Sequence, residues 1–434
     1  MQSPAVSPQP PSTFSEYLRS LGPGIVAMLT WLGAGDVVTA GVSGGNYGYA
    51  LMWVLALAVL MRCVFVMLIA KYQLCNPRGE SVVEGLIRLH PAYAPFLAIA
   101  AVILGHVYGS YMVVGCGETW VKLTGAAATW QWSILWSLLA LGLVFRHVYR
   151  NVELVFKLML GVLSVSLLGT AIWAGPNAMG IARGLFAFEL PATVGPFDSV
   201  LVAIGMVGAV GGSMMNLAYP YFMEQKGWRG PAYRRVQFYD LLLAVVVMIM
   251  LNLAVWTLGA EVIHGRGQSV DDLDGLAKLL GIALGANGQR LFYLGVFAAV
   301  FTSLIGIALV VAYLANQGFS HWLHGQPAVS NGRVHHVVTV WVLVSPLVWT
   351  LPGMPSFVTL TLLGNAIQVV VVPLLAGGVW WITASSRFIG VEYRNRWWEN
   401  LFMAVMFSIA VWATIGIFRS VAAQLWTILA GTAS

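Results

Sequence analysis

Asp36 stands inside the apolar run TWLGAGDVVTAG, residues 30–41. An ionised carboxylate in hydrocarbon is expensive unless something pairs with it. The neighbouring Gly33 and Gly35 each weaken a helix by about 1 kcal/mol relative to alanine. A breakable apolar helix with an acid in it suits one chemistry well. Loosened main-chain carbonyls, half-helix ends and the carboxylate can together replace the water around a cation. The competing role for Asp36 is a cap, because aspartate is a favoured N-cap and an anion suits the positive end of a helix. Capping is compatible with binding but implies no substrate by itself.

A second glycine-rich stretch, GAVGGSMMN at 208–216, has the same character. Gly33 and Gly211 are placed to offer backbone carbonyls if the two stretches unwind. His106, in LGHVYGSYM, reads either as a satisfied packing residue or, with its near-neutral titration, as a member of a proton path. Arg62 and Lys157 also fall inside apolar windows and read as snorkelling or salt-bridged structural charges. Asp240 is expected to pair with a loop arginine such as Arg235. Nothing resembles a nucleophile triad, a phosphate loop or a Cys/His metal cluster, so neither an enzyme nor a bound cofactor is expected.

The elements that must position these residues are membrane spans. Hydrophobic residues make up 59% of the chain and charged residues 9%, against about 25% in a soluble domain. Mean hydropathy is +0.82. The 18 tryptophans fit interfacial belts. Cys63, Cys75 and Cys116 have no metal-ligand spacing and suggest no disulfide framework. The net charge of +6 is spread over short loops and forms no patch, which speaks against nucleic acid. Spans need roughly 20 mostly apolar residues. Eleven such windows fall near 23–44, 48–72, 94–116, 130–147, 152–174, 197–222, 238–261, 290–315, 335–351, 356–382 and 399–421. Residues 1–22 are polar and proline-rich and read as a disordered cytoplasmic tail, leaving 23–434 as one transmembrane domain.

Lys and Arg set the orientation. Of 22 such residues, Lys122, Arg183, Arg266, Lys278, Arg290 and Arg419 fall on one side. Fourteen fall on the side shared with the N-terminus, which makes that side cytoplasmic. The two glycine-rich stretches lie in spans 1 and 6, five spans apart. Transporters built from inverted five-helix repeats place one broken helix first in each repeat, and the breaks meet at the bilayer midplane. The alternative is that these glycines let helices pack closely.

At this point the sequence resembles the natural resistance-associated macrophage protein (Nramp) family of divalent-metal transporters. The similarity covers nearly the whole chain after residue 22. LGPGIVAMLTWLGAGD and GGNYGYALMWVL resemble the family's first two helices, RNVELVFKLMLGVLSV its fifth, LANQGF the end of its eighth and LLGNAIQVVVVPLL its tenth. The resemblance implies an all-α integral membrane protein with a LeuT-type fold, two inverted five-helix repeats plus an eleventh helix.

The family's chemical motifs are altered. Its Asp-Pro-Gly-Asn falls on Gly33-Ala34-Gly35-Asp36, so the metal-binding aspartate is absent and a carboxylate reappears three residues on. Its Met-Pro-His falls on Met214-Met215-Asn216, anchored on Tyr219, with a one-residue shift open. The methionine is kept, the proline is lost and the histidine becomes Asn216. A second histidine of that helix falls on Tyr221. The polar ligand position of helix 10 holds Asn365 in place of glutamine, and His106 takes the place of an acidic residue associated with proton movement.

The resemblance therefore implies a metal site of Asp36, Gly33, Met214, Asn216 and Asn365 in a multi-pass protein of the inner membrane. The methionine sulfur favours soft transition metals, whereas amides and a lone carboxylate suit partly hydrated magnesium. Methionine is equally common as core filler, and buried asparagines often bridge helices. The implied activity is secondary transport of manganese, iron or magnesium into the cytoplasm, with proton symport left open. The rival readings are an organic solute bound near Trp31 and Tyr219, and a non-transporting sensor on the same fold.

Overall fold

The computed structural model describes residues 11, 13–24, 27 and 28, 34–146, 149–211, 213–328 and 332–431. Among them the chain is helical, with a single isolated bridge between Val194 and Phe197. Helix occupies every one of the eleven expected windows. Span 1 is helical at 23–24 and 27–28 and again over Ala34–Tyr47. Spans 2 to 5 follow as Met52–Cys75, Tyr93–Thr124, Thr129–Arg146 and Tyr149–Ala174. Span 7 is Arg234–Leu258 and span 11 is Trp397–Gly431. Spans 3 and 8 pack along their lengths at the centre. Span 11 presents Leu401, Val405, Trp412, Ile415 and Phe418 outward, an apolar face suited to lipid.

Span 6 is interrupted. It runs as an α-helix over Ser199–Met206, widens to a π-helical turn over Val207–Gly211, and resumes at Met214–Leu217 as a tight turn leading into Ala218–Gln225. The resumption is capped by Ser213, whose hydroxyl accepts from Met215 N at 3.1 Å. No proline is involved. Span 10 loosens more gently, at Gln368–Val371, between Phe357–Ile367 and Val372–Ala384. Pro373 has no N–H, so the Val369 carbonyl takes its backbone donor one residue early, from Val372. Thr414 of span 11 adds a second at 3.3 Å. The helix Leu273–His324 changes direction at Gly285, whose φ of 62° and ψ of −151° only glycine adopts readily. The part before it forms the connection from span 7, and span 8 follows.

Short helices also stand where connections or a tail were expected. Phe14–Ser20 lies in the supposedly disordered tail, started by a capping box between Thr13 and Glu16, with Tyr17 edge-on to Tyr239. Val82–Leu89 has the same device in Ser81 and Glu84. Ala178–Phe186 is bent 106° from the end of span 5 and exposes Met179 and Phe186. All three cysteines are free.

Candidate functional site

Asp36 lies in the first turn of the second half of span 1, Ala34–Tyr47, where helical N–H groups favour an anion, and is buried. The cation that meets it is Arg62, from the middle of span 2. The guanidinium Nη1 stands 3.4 Å from Asp36 Oδ2, and each side chain is 1% exposed. Arg62 also donates to Met248 Sδ on span 7 at 3.1 Å and to the Ala209 carbonyl. Ala209 belongs to the π-helical turn of span 6. The break therefore presents a carbonyl to a charge, and one buried arginine joins spans 1, 2, 6 and 7.

The opposite wall is uncharged and polar. Asn365 of span 10 donates through Nδ2 to Thr39 Oγ1 at 3.1 Å and to the Gly35 carbonyl at 3.4 Å. Thr39 in turn donates to the Gly35 carbonyl at 2.7 Å. Gln368, one turn after Asn365, donates to Asn365 Oδ1 at 3.2 Å. Gln368 Oε1 accepts from the Tyr108 hydroxyl of span 3 at 3.0 Å, and the same hydroxyl is 3.2 Å from Ser213 Oγ. A chain of polar groups thus crosses spans 1, 10, 3 and 6. Close approach of spans 6 and 10 depends on Gly208, where a Cβ would strike the Asn365 carbonyl.

Between the two walls lies a cavity of about 30 Å³, bordered by Gly35, Asp36, Arg62, Tyr108, Ser213, Met215, Asn365 and Gln368 among others. That is room for about two waters or an ion with part of its shell. Asp36 Oδ1 makes no hydrogen bond of ordinary geometry among the described residues, although the Asn252 amide of span 7 stands near the carboxylate. No group of three His, Cys, Asp or Glu capable of holding a metal exists among the described residues. Any cation here would rest on one carboxylate, amides, hydroxyls, the Met215 thioether and main chain.

Of the expected ligands, Asp36 and Asn365 meet at this cavity. Gly33 and Trp31 lie outside the described residues, as does the Lys157 side chain. Met214 is fully buried but Met215 is the methionine on the cavity wall. Asn216 is buried beside it, with neither amide atom partnered among the described residues. His106 stands elsewhere, between spans 3 and 9. Its Nδ1 is 2.8 Å from Ser345 Oγ and its Nε2 accepts from Trp349 Nε1 at 2.9 Å.

Two expectations change. Asp240 does not pair with Arg235. It accepts from Gly22 N at 2.8 Å, Gly24 N at 2.5 Å and the Tyr219 hydroxyl at 3.1 Å, and so anchors the start of span 1 to spans 6 and 7. Tyr219 is thereby committed and is not on the cavity wall. Arg62 is salt-bridged, as expected of a buried charge, but at the site itself. Arg62, Tyr108, Ser213 and Gln368 were all missed as wall residues. Gln368 follows Asn365 at a spacing of three, which puts both on one helix face. A charge at the centre of span 2 is a functional candidate by default.

Known proteins agree with this architecture. The chain is 25% identical to a divalent metal cation transporter MntH of Pectobacterium carotovorum, with 88% of this chain and 90% of that protein covered. It is 24% identical to the Bacillus subtilis protein of the same name, with 88% of each covered. The structure superimposes on a manganese transporter of Eremococcus coleocola with a TM-score of 0.76 at 15% identity, covering 96% of this chain and 90% of that one. It also superimposes on MhsT in complex with L-phenylalanine, with a TM-score of 0.56 at 15% identity, covering 92% and 97%. The shared fold is the LeuT-type arrangement of two inverted five-helix repeats, with an eleventh span added. The sequence matches the natural resistance-associated macrophage protein-like (Nramp) family over residues 24–419, and the chain belongs to that family.

Proposed function

We propose that this transport protein, which is not an enzyme, carries a divalent metal cation through the membrane by alternating access, with the ion bound between Asp36 and Asn365. The observation that carries the reading is the ion-sized polar cavity at the break of span 6, with an under-engaged carboxylate on its wall. The names of the relatives, divalent metal cation transporters, support the same substrate class. Met215 offers a thioether, which favours manganese or iron, while Asn365, Gln368 and Ser213 suit a partly hydrated ion such as magnesium. Uptake into the cytoplasm is the easy direction, since each charge gains about 2.3 kcal/mol per 100 mV of negative interior potential. The bias of Lys and Arg supports a cytoplasmic N-terminus. A proton symport would need a titratable relay, for which His106 is the sequence candidate.

Proteoliposomes test this directly. Uptake of manganese, magnesium and calcium is measured with and without a pH gradient, for the wild type and Asp36→Asn. The reading expects uptake of at least one of these metals and its loss in the variant. Uptake of none of them, alongside entry of a small organic molecule, overturns it in favour of the organic solute. Flux of neither favours a sensor.

A further inference from the structure

We propose that the Arg62 guanidinium is a tethered counter-cation of the transport site, holding Asp36 when the site is empty and giving way to the transported metal. The inference rests on the metal reading above and deepens it.

A structural ion pair buried this deeply is expected to be fully engaged, because poorly paired buried charges are costly. This chain contains such a pair. Lys71 Nζ lies 2.9 and 3.0 Å from the two oxygens of Glu399 and 2.9 Å from Asn395 Oδ1. The Asp36–Arg62 pair is different. It has one long contact of 3.4 Å, against the usual 2.7–2.9 Å of charge-assisted bonds, and it is not bidentate. Asp36 Oδ1 is buried on the cavity wall and makes no hydrogen bond of ordinary geometry among the described residues, the Asn252 amide being the other polar group near the carboxylate.

The guanidinium, by contrast, has other acceptors in the Ala209 carbonyl and Met248 Sδ. These hold it in place when Asp36 turns to another cation. A dication arriving at Asp36 meets like charge from Arg62, and that repulsion is weakly screened inside the protein. Arg62 therefore competes with the metal from a fixed position and sets the upper limit of affinity. Its contacts join spans 1, 2, 6 and 7, so it travels with the site when those spans move together.

The test is manganese binding to purified full-length protein by calorimetry. Arg62→Ala is expected to bind manganese at least ten-fold more tightly than the wild type. Methylguanidinium added to Arg62→Ala should fill the vacated place and weaken manganese binding back toward the wild-type value, without affecting the wild type. A purely structural arginine predicts no gain in affinity and no such rescue. A folded Arg62→Ala that binds manganese no more tightly than the wild type overturns the proposal. If that variant does not fold, Met248→Leu tests the same point. It removes one alternative acceptor, drives the guanidinium onto Asp36, and should weaken manganese binding about three-fold; unchanged binding overturns the proposal. The two failures are separable. A wild type that carries manganese beside an unimproved Arg62→Ala removes only the tether, whereas absence of metal binding in both removes the metal reading as well.

Discussion

The amide of Asn365 donates to the hydroxyl of Thr39 across 3.1 Å, tying span 10, just before its loosened turn, to span 1 next to Asp36. Its carbonyl oxygen is held by Gln368, so the side chain has a fixed direction. Asn365→Ala is expected to reduce metal uptake at least ten-fold. Asn365→Gln keeps the amide but lengthens it, and should retain part of the flux. Equal uptake in wild type and Asn365→Ala would show that this amide takes no part.

Tyr108 reaches Ser213 and Gln368 at once, bridging spans 3, 6 and 10. On the alternating-access reading proposed above, movement of span 6 against span 3 would break and remake this bridge in each cycle. Tyr108→Phe removes both bonds, each worth about 1 kcal/mol. The expected result is a several-fold change in transport rate with manganese affinity within about three-fold of wild type. Flux and calorimetry on the same preparation separate the two quantities.

Gly208 faces the main chain of span 10, with no room for a Cβ. Gly208→Ala is expected to cost about 1–3 kcal/mol as overpacking. Thermal melting in detergent checks this, and an unchanged midpoint refutes the tight contact. Metal affinity should fall with it, because Asn365 is pushed back.

Lys71 and Glu399 form a buried pair between spans 2 and 11, 4% and 8% exposed. Lys71→Ala strands the carboxylate and should destabilise by about 3–5 kcal/mol. The double variant Lys71→Met with Glu399→Leu should recover most of that loss. A double variant as unstable as the single one would place the cost elsewhere, for instance at Asn395.

Much of the architecture is legible in the sequence because bilayer thickness fixes the length of an apolar run, and each expected window holds helix. The short helices Val82–Leu89 and Ala178–Phe186 were less legible. Each is too brief to stand out from the polar residues around it, although Ser81 and Glu84 carry a readable start signal. The site was half legible. A charge or amide in an apolar run announces itself, as Asp36 and Asn365 did. The facing of a side chain does not, because a boundary uncertain by two residues turns it by half a helical revolution. Met214 and Met215 exchanged places for that reason, and the pairing of Arg62 with Asp36 spans two helices whose rotation no local pattern fixes.

The widened turn at Val207–Gly211 has a consequence for how such chains evolve. One surplus residue in the coil opens span 6 at a stretch, 207–211, that contains no proline, and it does so without removing a donor. Sequence drift can therefore erase the punctuation mark by which these interruptions are commonly spotted while the opening in the spiral persists. Relatives lacking the hallmark letters should be sorted by helical geometry rather than by spelling.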